Sequence, residues 1–459
     1  MAANARSQTA QVLNQVKKLN IGQVQGGLGS AELRDSLIKN LKKSGGFELV
    51  AKPEQADAVL EGTGQLWIKG HIAINPRAPK SNWQPVYGGY LSVEVTGKDH
   101  EILWSYLATP SNLAWGGVTD DLSKNVIKEL IAGRNQNNQA PAALSGSQNT
   151  ISATLHGAGA TFPAPLYQKW VQSYQREYPQ THISYDAVGS ESGIRLLDEG
   201  KVDFAASDVP PSPSSSTNVH RIASVLGGVV PIYNLGDLDR DLKFTPEILA
   251  GIYLGKIHRW NDSAIKDANS GVPLPDRDIV VIHRSDGSGT TYAWSDYLSK
   301  VNPDWNAAVG TGTTLHWPIG RGAERNEGIA NAVQQTPDSI GYVELVYAIQ
   351  YQLSFGAVRN RSGRYIRANL DSLAEAAKEN QSGQPLSSIT DPVGKGAYPI
   401  ATFTWLLVPQ EMKDANTKEA LVEFIRWALT SGQNECSALG YTPLSRDVAT
   451  QQLELINKF

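Results

Sequence analysis

Strand-like and helical runs alternate from Thr154 to the end of the chain, with small-residue turns rich in glycine and serine at several junctions. These two observations predict an α/β architecture with a ligand-binding edge, because in open α/β sheets the turns that follow strands gather where ligands bind. A third observation divides the chain. Residues 133–150 are polar, nearly uncharged and without periodicity, so they read as a flexible linker after a separate first domain at 1–132. At 459 residues the chain needs more than one hydrophobic core in any case.

The first domain reads as small α/β or α+β. Leu33, Leu37, Ile38 and Leu41 recur at helical spacing after Ser30, an expected N-cap, and Gly45-Gly46 ends that helix. Residues 47–50 and 58–60 are short strand candidates. Leu91, Val93 and Val95 alternate with polar residues, and a turn at 97–99 leads into 102–106, the pattern of a hairpin. Leu122, Val126, Ile127, Leu130 and Ile131 form a closing amphipathic helix. Trp67 and Trp104 lie in strand-like runs and are expected in the core. Trp83 and Trp115 lie in loops rich in proline and glycine and are expected at a contact with another protein. Gly27 and Gly29 lack the third glycine of a dinucleotide fingerprint, and a loop before a helix accounts for them.

In the second part, strands are expected at 183–185, 202–204, 228–233, 279–282 and 403–408, and helices near 163–178, 191–199, 289–300 and 417–430. That length suffices for two lobes with a ligand cleft between them.

Bulk properties exclude several classes. A hydrophobic fraction of 41% with 19% charged residues is that of a globular protein. Forty-one basic against 45 acidic residues leave a formal charge of −4, so no polycationic face for nucleic acid is expected. The single cysteine, Cys436, excludes an intrachain disulfide and a cysteine metal cluster, and suits an oxidising compartment. No apolar run reaches the roughly 18–20 residues that span a bilayer. The opening residues lack the apolar core of a signal peptide, so an exported form would have lost its leader.

Four stretches can offer an oxyanion backbone N–H groups: 157–163, 189–193, 206–208 and 283–290. Three of them open a helix, where unpaired amides and the positive dipole end favour an anion. In the first, Gly157 and Gly159 permit close backbone approach, Thr161 adds a hydroxyl, and Pro163 suits a first helical turn. In the second, Ser190 is an expected N-cap. In the fourth, Ser288, Gly289 and Thr290 precede a helix, Arg284 can grip two oxygens from the end of a strand, and Asp286 can hold its guanidinium. The third supplies Asp208, a carboxylate that fits an anion site only if the ligand carries a proton.

Other chemistries find little support. Gly189-Ser190-Glu191-Ser192-Gly193 puts glutamate where a nucleophile elbow needs serine, and no histidine is spaced to serve Ser190 or Ser288. The eight histidines (71, 100, 156, 182, 220, 258, 283 and 316) form no pair at ligand spacing. Neither catalytic residues, nor a metal, nor a cofactor is expected.

Residues 157–165 resemble the opening of the periplasmic phosphate-binding proteins of phosphate ABC importers, the PstS family. So do 202–208, 252–257, 260–262, 284–290, 317–320 and 340–344, in the family's order from about 153 to near the C-terminus. The resemblance implies a two-lobed periplasmic-binding-protein fold of type II with a two-strand hinge. Lobe one would be 151–231 plus 395–459 and lobe two 232–394, closing on one dehydrated phosphate. It implies Thr161, the Phe162 amide, Ser190, Asp208, Arg284, Ser288, Gly289 and Thr290 as phosphate ligands, with Asp286 in support. Phosphate delivery to membrane permease subunits, and a periplasmic or extracytoplasmic setting with or without a lipid anchor, follow from the same likeness. Many relatives carry Gly-Ser-Ser-Gly-Gly where this chain has Glu191, which is therefore expected to face solvent. The first domain's pattern looks like the small α/β domains of envelope lipoproteins found at the amino end of TolB. It leaves an envelope protein partner, or a phosphate-sensing role, as the alternative.

Overall fold

The computed structural model describes residues 12–72, 84–110, 115–135, 151–211, 218–236, 238, 240–378, 387–412 and 414–459. The first domain runs β1 (Lys18–Gln25), α1 (Ser30–Ser44), β2 (Glu48–Leu49), β3 (Ala58–Ile72), β4 (Gln84–Gly97), β5 (Ile102–Ala108) and α2 (Trp115–Asn135). Its sheet has the order β2-β1-β3-β4-β5, with β1 parallel to both neighbours and the rest antiparallel. Both helices cover one face. Leu33, Leu37 and Leu41 of α1, with Leu122, Val126 and Leu130 of α2, bury against Leu60, Leu66, Leu91, Val93 and Val95. Each such side chain contributes about 1.5–3 kcal/mol.

Three local expectations change. The N-cap of α1 is Gly29 in a left-handed conformation (φ 84°), not Ser30, which is the first helical residue. The helix α2 continues to Asn135, so residues 133–135 are helical rather than linker, and 136–150 lie outside the described residues. Trp67 is half-buried outside the first core, while Trp104 packs at its edge, stacked on Tyr106. Trp83 and the side chain of Trp115 lie outside the described residues.

The second part continues with β6 (Ala153–Gly159), α3 (Ala164–Glu177), β7 (Thr181–Ala187), α4 (Ser190–Asp198), β8 (Phe204–Ser207), β9 (Val219–Tyr233), β10 (Lys243–Phe244), α5 (Pro246–Tyr253), α6 (Ser263–Ala268), β11 (Val280–Arg284), α7 (Gly289–Val301) and α8 (Pro303–Ala308). Then come β12 (Arg321–Ala323), α9 (Arg325–Gln335), β13 (Ser339–Glu344), α10 (Leu345–Gln350), β14 (Ser354–Phe355), β15 (Ala357–Arg359), β16 (Tyr365–Ile366), α11 (Leu370–Ala377), β17 (Ala401–Pro409), α12 (Ala415–Leu429) and α13 (Arg446–Ile456).

One nine-stranded sheet organises these elements in the order β12-β11-β13-β9-β17-β8-β6-β7, with β14 pairing β9. The 15-residue β9 carries both halves. Residues 219–228 pair with β17, and 229–233 pair with β13, so the strand exchanges partner at Gly228/Val229. The chain returns beside it where the Val229 N–H donates to Ile400 O at 2.8 Å, immediately before β17. Every residue of β9 from Ile222 to Tyr233 is buried, as a strand covered on both faces must be. This two-strand crossing positions the turns that follow β6, β7 and β8 opposite the turn that follows β11.

The face of the first sheet opposite its helices meets this second part on both sides of the crossing. Ser92 Oγ donates to Ala438 O at 2.7 Å, Ser105 Oγ donates to Asn434 O and accepts from the Ala438 N–H, and Lys169 pairs with Glu94 at 3.1 Å. On the other side, Lys69 pairs with Asp241, which also faces Arg367 Nε at 3.1 Å. Trp67 lines the small cavity there with Ile349, Leu353 and Phe355.

Candidate anion-binding site

Each predicted stretch lies at a carboxyl end of the central sheet, and the crossing strands bring all four together. At the end of β6, Gly159 (φ 144°) turns the chain so that Thr161 and Phe162 lead into α3. A Cβ at Gly193 of α4 would lie 2.3 Å from Gly159 Cα, so glycine there lets that helix sit against the turn. Gly157 has a different reason from the one expected. A Cβ there would lie 2.2 Å from the Phe204 ring, so packing within the sheet, not ligand approach, excludes a side chain.

Ser190 is the first residue of α4 and Gly189 the N-cap, which corrects the expected cap. The freed Ser190 hydroxyl turns inward, accepting from the Asp208 N–H at 3.4 Å and the Gly289 N–H at 3.2 Å. Ser288 is the N-cap of α7, its Oγ accepting from the Thr291 N–H at 3.1 Å. A helix start leaves the Thr290 N–H without an intrahelical partner. The second and fourth stretches approach closely: a Cβ at Gly289 would stand 2.6 Å from both Asp208 Oδ2 and Ser190 Oγ.

Among the predicted ligands two groups are ionisable, Arg284 and Asp208, and Asp286 is the counter-ion of the first. Arg284 ends β11 and is 3% exposed. Asp286 holds it bidentately, Nε to Oδ1 at 2.6 Å and Nη2 to Oδ2 at 2.5 Å, while the buried Nη1 has no hydrogen-bond partner. Burial pushes the Asp286 carboxyl up, but hydrogen bonds and charge from Arg284, with the Arg325 N–H at 3.1 Å, outweigh it and hold the group below the usual carboxylate range. Asp208 is 1% exposed and accepts from Thr404 Oγ1 at 2.5 Å. Burial raises its pKa to about 7, although the Thr404 hydrogen bond and the Arg284 charge pull the other way.

Glu191 is exposed, as expected, and its Oε2 accepts from the hydroxyls of Thr313 at 3.2 Å and Thr314 at 3.0 Å across the cleft. Tyr347 Oη donates across it to Thr161 O at 2.6 Å, so the two halves are closed on one another. Two residues escaped the sequence reading. Asn326 Nδ2 donates to Thr161 Oγ1 at 2.9 Å and Thr290 Oγ1 at 3.2 Å. Glu344 is fully buried, its Oε2 accepting from the Val346 N–H at 2.7 Å, and burial with the nearby Asp208 charge pushes its pKa well up. Neither residue lies in a glycine-serine turn that opens a helix, although Glu344 closes the 340–344 match. Among the described residues no group of histidine, cysteine and carboxylate side chains could hold a metal ion.

The arrangement suits an oxyanion with a hydrogen. Hydroxyls, amides and one guanidinium paired with a carboxylate converge here, with the buried carboxyls of Asp208 and Glu344 beside them.

Comparison with known proteins identifies the family. A model of the PBP superfamily domain matches residues 144–431. The phosphate-binding protein PstS of Xylella fastidiosa is 40% identical over 311 residues, covering 66% of this chain and 85% of that protein. That of Pasteurella multocida is 36% identical over 305 residues, covering 65% and 88%. The solved structure of a high-affinity periplasmic phosphate-binding protein bound with phosphate superposes with a TM-score of 0.51 at 20% identity, over 65% of this chain and 92% of that one, a likeness of fold. The fold is that of a type II periplasmic binding protein with an additional N-terminal domain, and the chain belongs to the PstS family of phosphate-binding proteins.

Proposed function

We propose that this protein captures inorganic phosphate in the cleft between its two halves and delivers it to the permease of an ABC importer. It works as a binding protein, not a catalyst, in the extracytoplasmic space. The observation that carries the proposal is the buried Arg284 Nη1, which has no protein partner, among inward-facing hydroxyls and helix-start amides. Leaving such a donor unpaired costs on the order of 1–3 kcal/mol or more, which a bound oxygen would recover.

In this reading Thr161, the Phe162 amide, Ser190, Asp208, Arg284, Ser288, Gly289 and Thr290 contact the phosphate, and Asp286 holds Arg284. The lobes are 151–231 with 395–459, and 232–394, and the partner exchange of β9 near Gly228 supports that division. Asp208 accepts the proton that phosphate retains near neutral pH. Sulfate has none to offer, so two acceptors would face each other across the site.

Isothermal titration of the full chain with phosphate, arsenate and sulfate tests the proposal. Tight binding of phosphate with sulfate excluded is expected. Absence of phosphate binding, or equal affinity for sulfate, would sink it.

A further inference from the structure

Asn326, near the start of α9, is fully buried, and its amide bonds point into the cage. Its Oδ1 accepts the Glu344 N–H at 3.1 Å. A backbone N–H can only donate, so the amide oxygen must face it and the amide hydrogens must face the two threonines. Thr161 Oγ1 and Thr290 Oγ1, at 2.9 and 3.2 Å, are therefore acceptors toward Asn326. A hydroxyl has one hydrogen, and one that accepts here keeps it for a different partner. Thr161 and Thr290 are 3% and 1% exposed, and neither hydroxyl donates to another described group, which leaves the occupant of the cage as that partner.

We propose that Asn326 is a positioning residue that sets the proton polarity of the site. It turns Thr161 and Thr290 into obligate donors toward the bound anion. Thr161 belongs to one half of the cleft, and Asn326 and Thr290 to the other, so the device is complete only when the cleft is closed. With two hydroxyls committed as donors and Asp208 as the acceptor, the cage reads how many hydrogens its ligand carries. The proposal rests on the phosphate reading above and names a residue outside that reading's ligand set.

The test compares phosphate affinity of the full chain in wild type, N326A, T161V/T290V and the triple variant. N326A is expected to raise Kd roughly 10–100-fold. In the T161V/T290V background the same change should cost under roughly threefold, because the hydroxyls it orients are gone. An equal cost in both backgrounds, or none in either, overturns the role of Asn326. N326D keeps the volume, which covers the case in which N326A does not fold. Near neutral pH the introduced carboxylate accepts from both hydroxyls and turns their hydrogens away, so Kd should rise beyond that of N326A. The ratio to wild type should then shrink as pH falls toward 5 and the carboxyl regains a proton; a ratio independent of pH counts against the proposal. Wild-type protein that ignores phosphate overturns the underlying reading as well, a result distinct from normal wild-type binding with an unaffected N326A.

Discussion

At the residue scale, the buried carboxylate at Asp208 makes two demands that can be separated. Its pKa stands at about 7 in the folded protein against an ordinary value of 3.8. A raised acid favours folding below the ordinary value, and that contribution is lost as pH climbs through the folded value. That difference corresponds to roughly 4 kcal/mol at most. Asp208→Asn has no such titration, so the thermal midpoint of phosphate-free protein should fall less between pH 4.5 and 7.5 than in wild type. Glu344 titrates in both proteins, so parallel curves would show that Asp208 is not the source. The same variant should admit sulfate, measured by its competition with bound phosphate. Arg284→Ala leaves the half-buried Asp286 without its cation and removes the guanidinium. Phosphate affinity should fall by about 3 kcal/mol or more, over roughly a hundredfold, in calorimetric titration, and an unaltered Kd would remove Arg284 from the site.

At the element scale, closure depends on how near the start of α7 comes to α4 and the end of β8. Gly289 has no room for a methyl group, with Asp208 and Ser190 both 2.6 Å from where it would stand. Those two groups lie on one side of the cleft and Gly289 on the other. Gly289→Ala should therefore hold the cleft ajar and raise the phosphate Kd by at least tenfold, about 1.4 kcal/mol. Alanine is well accepted in a first helical turn, so the unliganded thermal midpoint should hardly move. A normal Kd would mean that the halves meet with more slack than the backbone allows. Such turns are legible in a sequence because small residues and caps are local requirements of chain direction. Which hydroxyl caps and which turns inward is not local: Ser190 faces the cleft because Gly189 takes the cap, and the amides that reach its oxygen come from residues 208 and 289.

At the scale of the whole molecule, the first domain contacts both sides of the β9 crossing. Asp241 lies between Lys69 of that domain and Arg367 of the second part. Burial depresses the Lys69 pKa, though the Asp241 charge and hydrogen bond resist it. Asp241→Asn leaves two cations facing each other with little solvent between them. A loss of about 3 kcal/mol is expected in denaturant unfolding of the full chain. Unchanged stability would mean that the first domain docks without help from this ion pair, through contacts such as those of Ser92, Ser105, Glu94, Tyr90 and Leu107.

The sequence by itself determined the α/β class, about half of the element positions, and the turn residues that gather at one sheet edge. Each of these follows from periodicity, chain direction or helix capping, which act over a few residues. Only the tertiary structure decided that β9 exchanges partners at Gly228, that Trp67 faces a second domain rather than a core, and that Gly157 makes way for Phe204. It also placed Asn326 against two threonines 165 and 36 positions away in the chain. Such contacts depend on which surfaces meet after folding, and a buried asparagine carries no local mark of the partners it will orient.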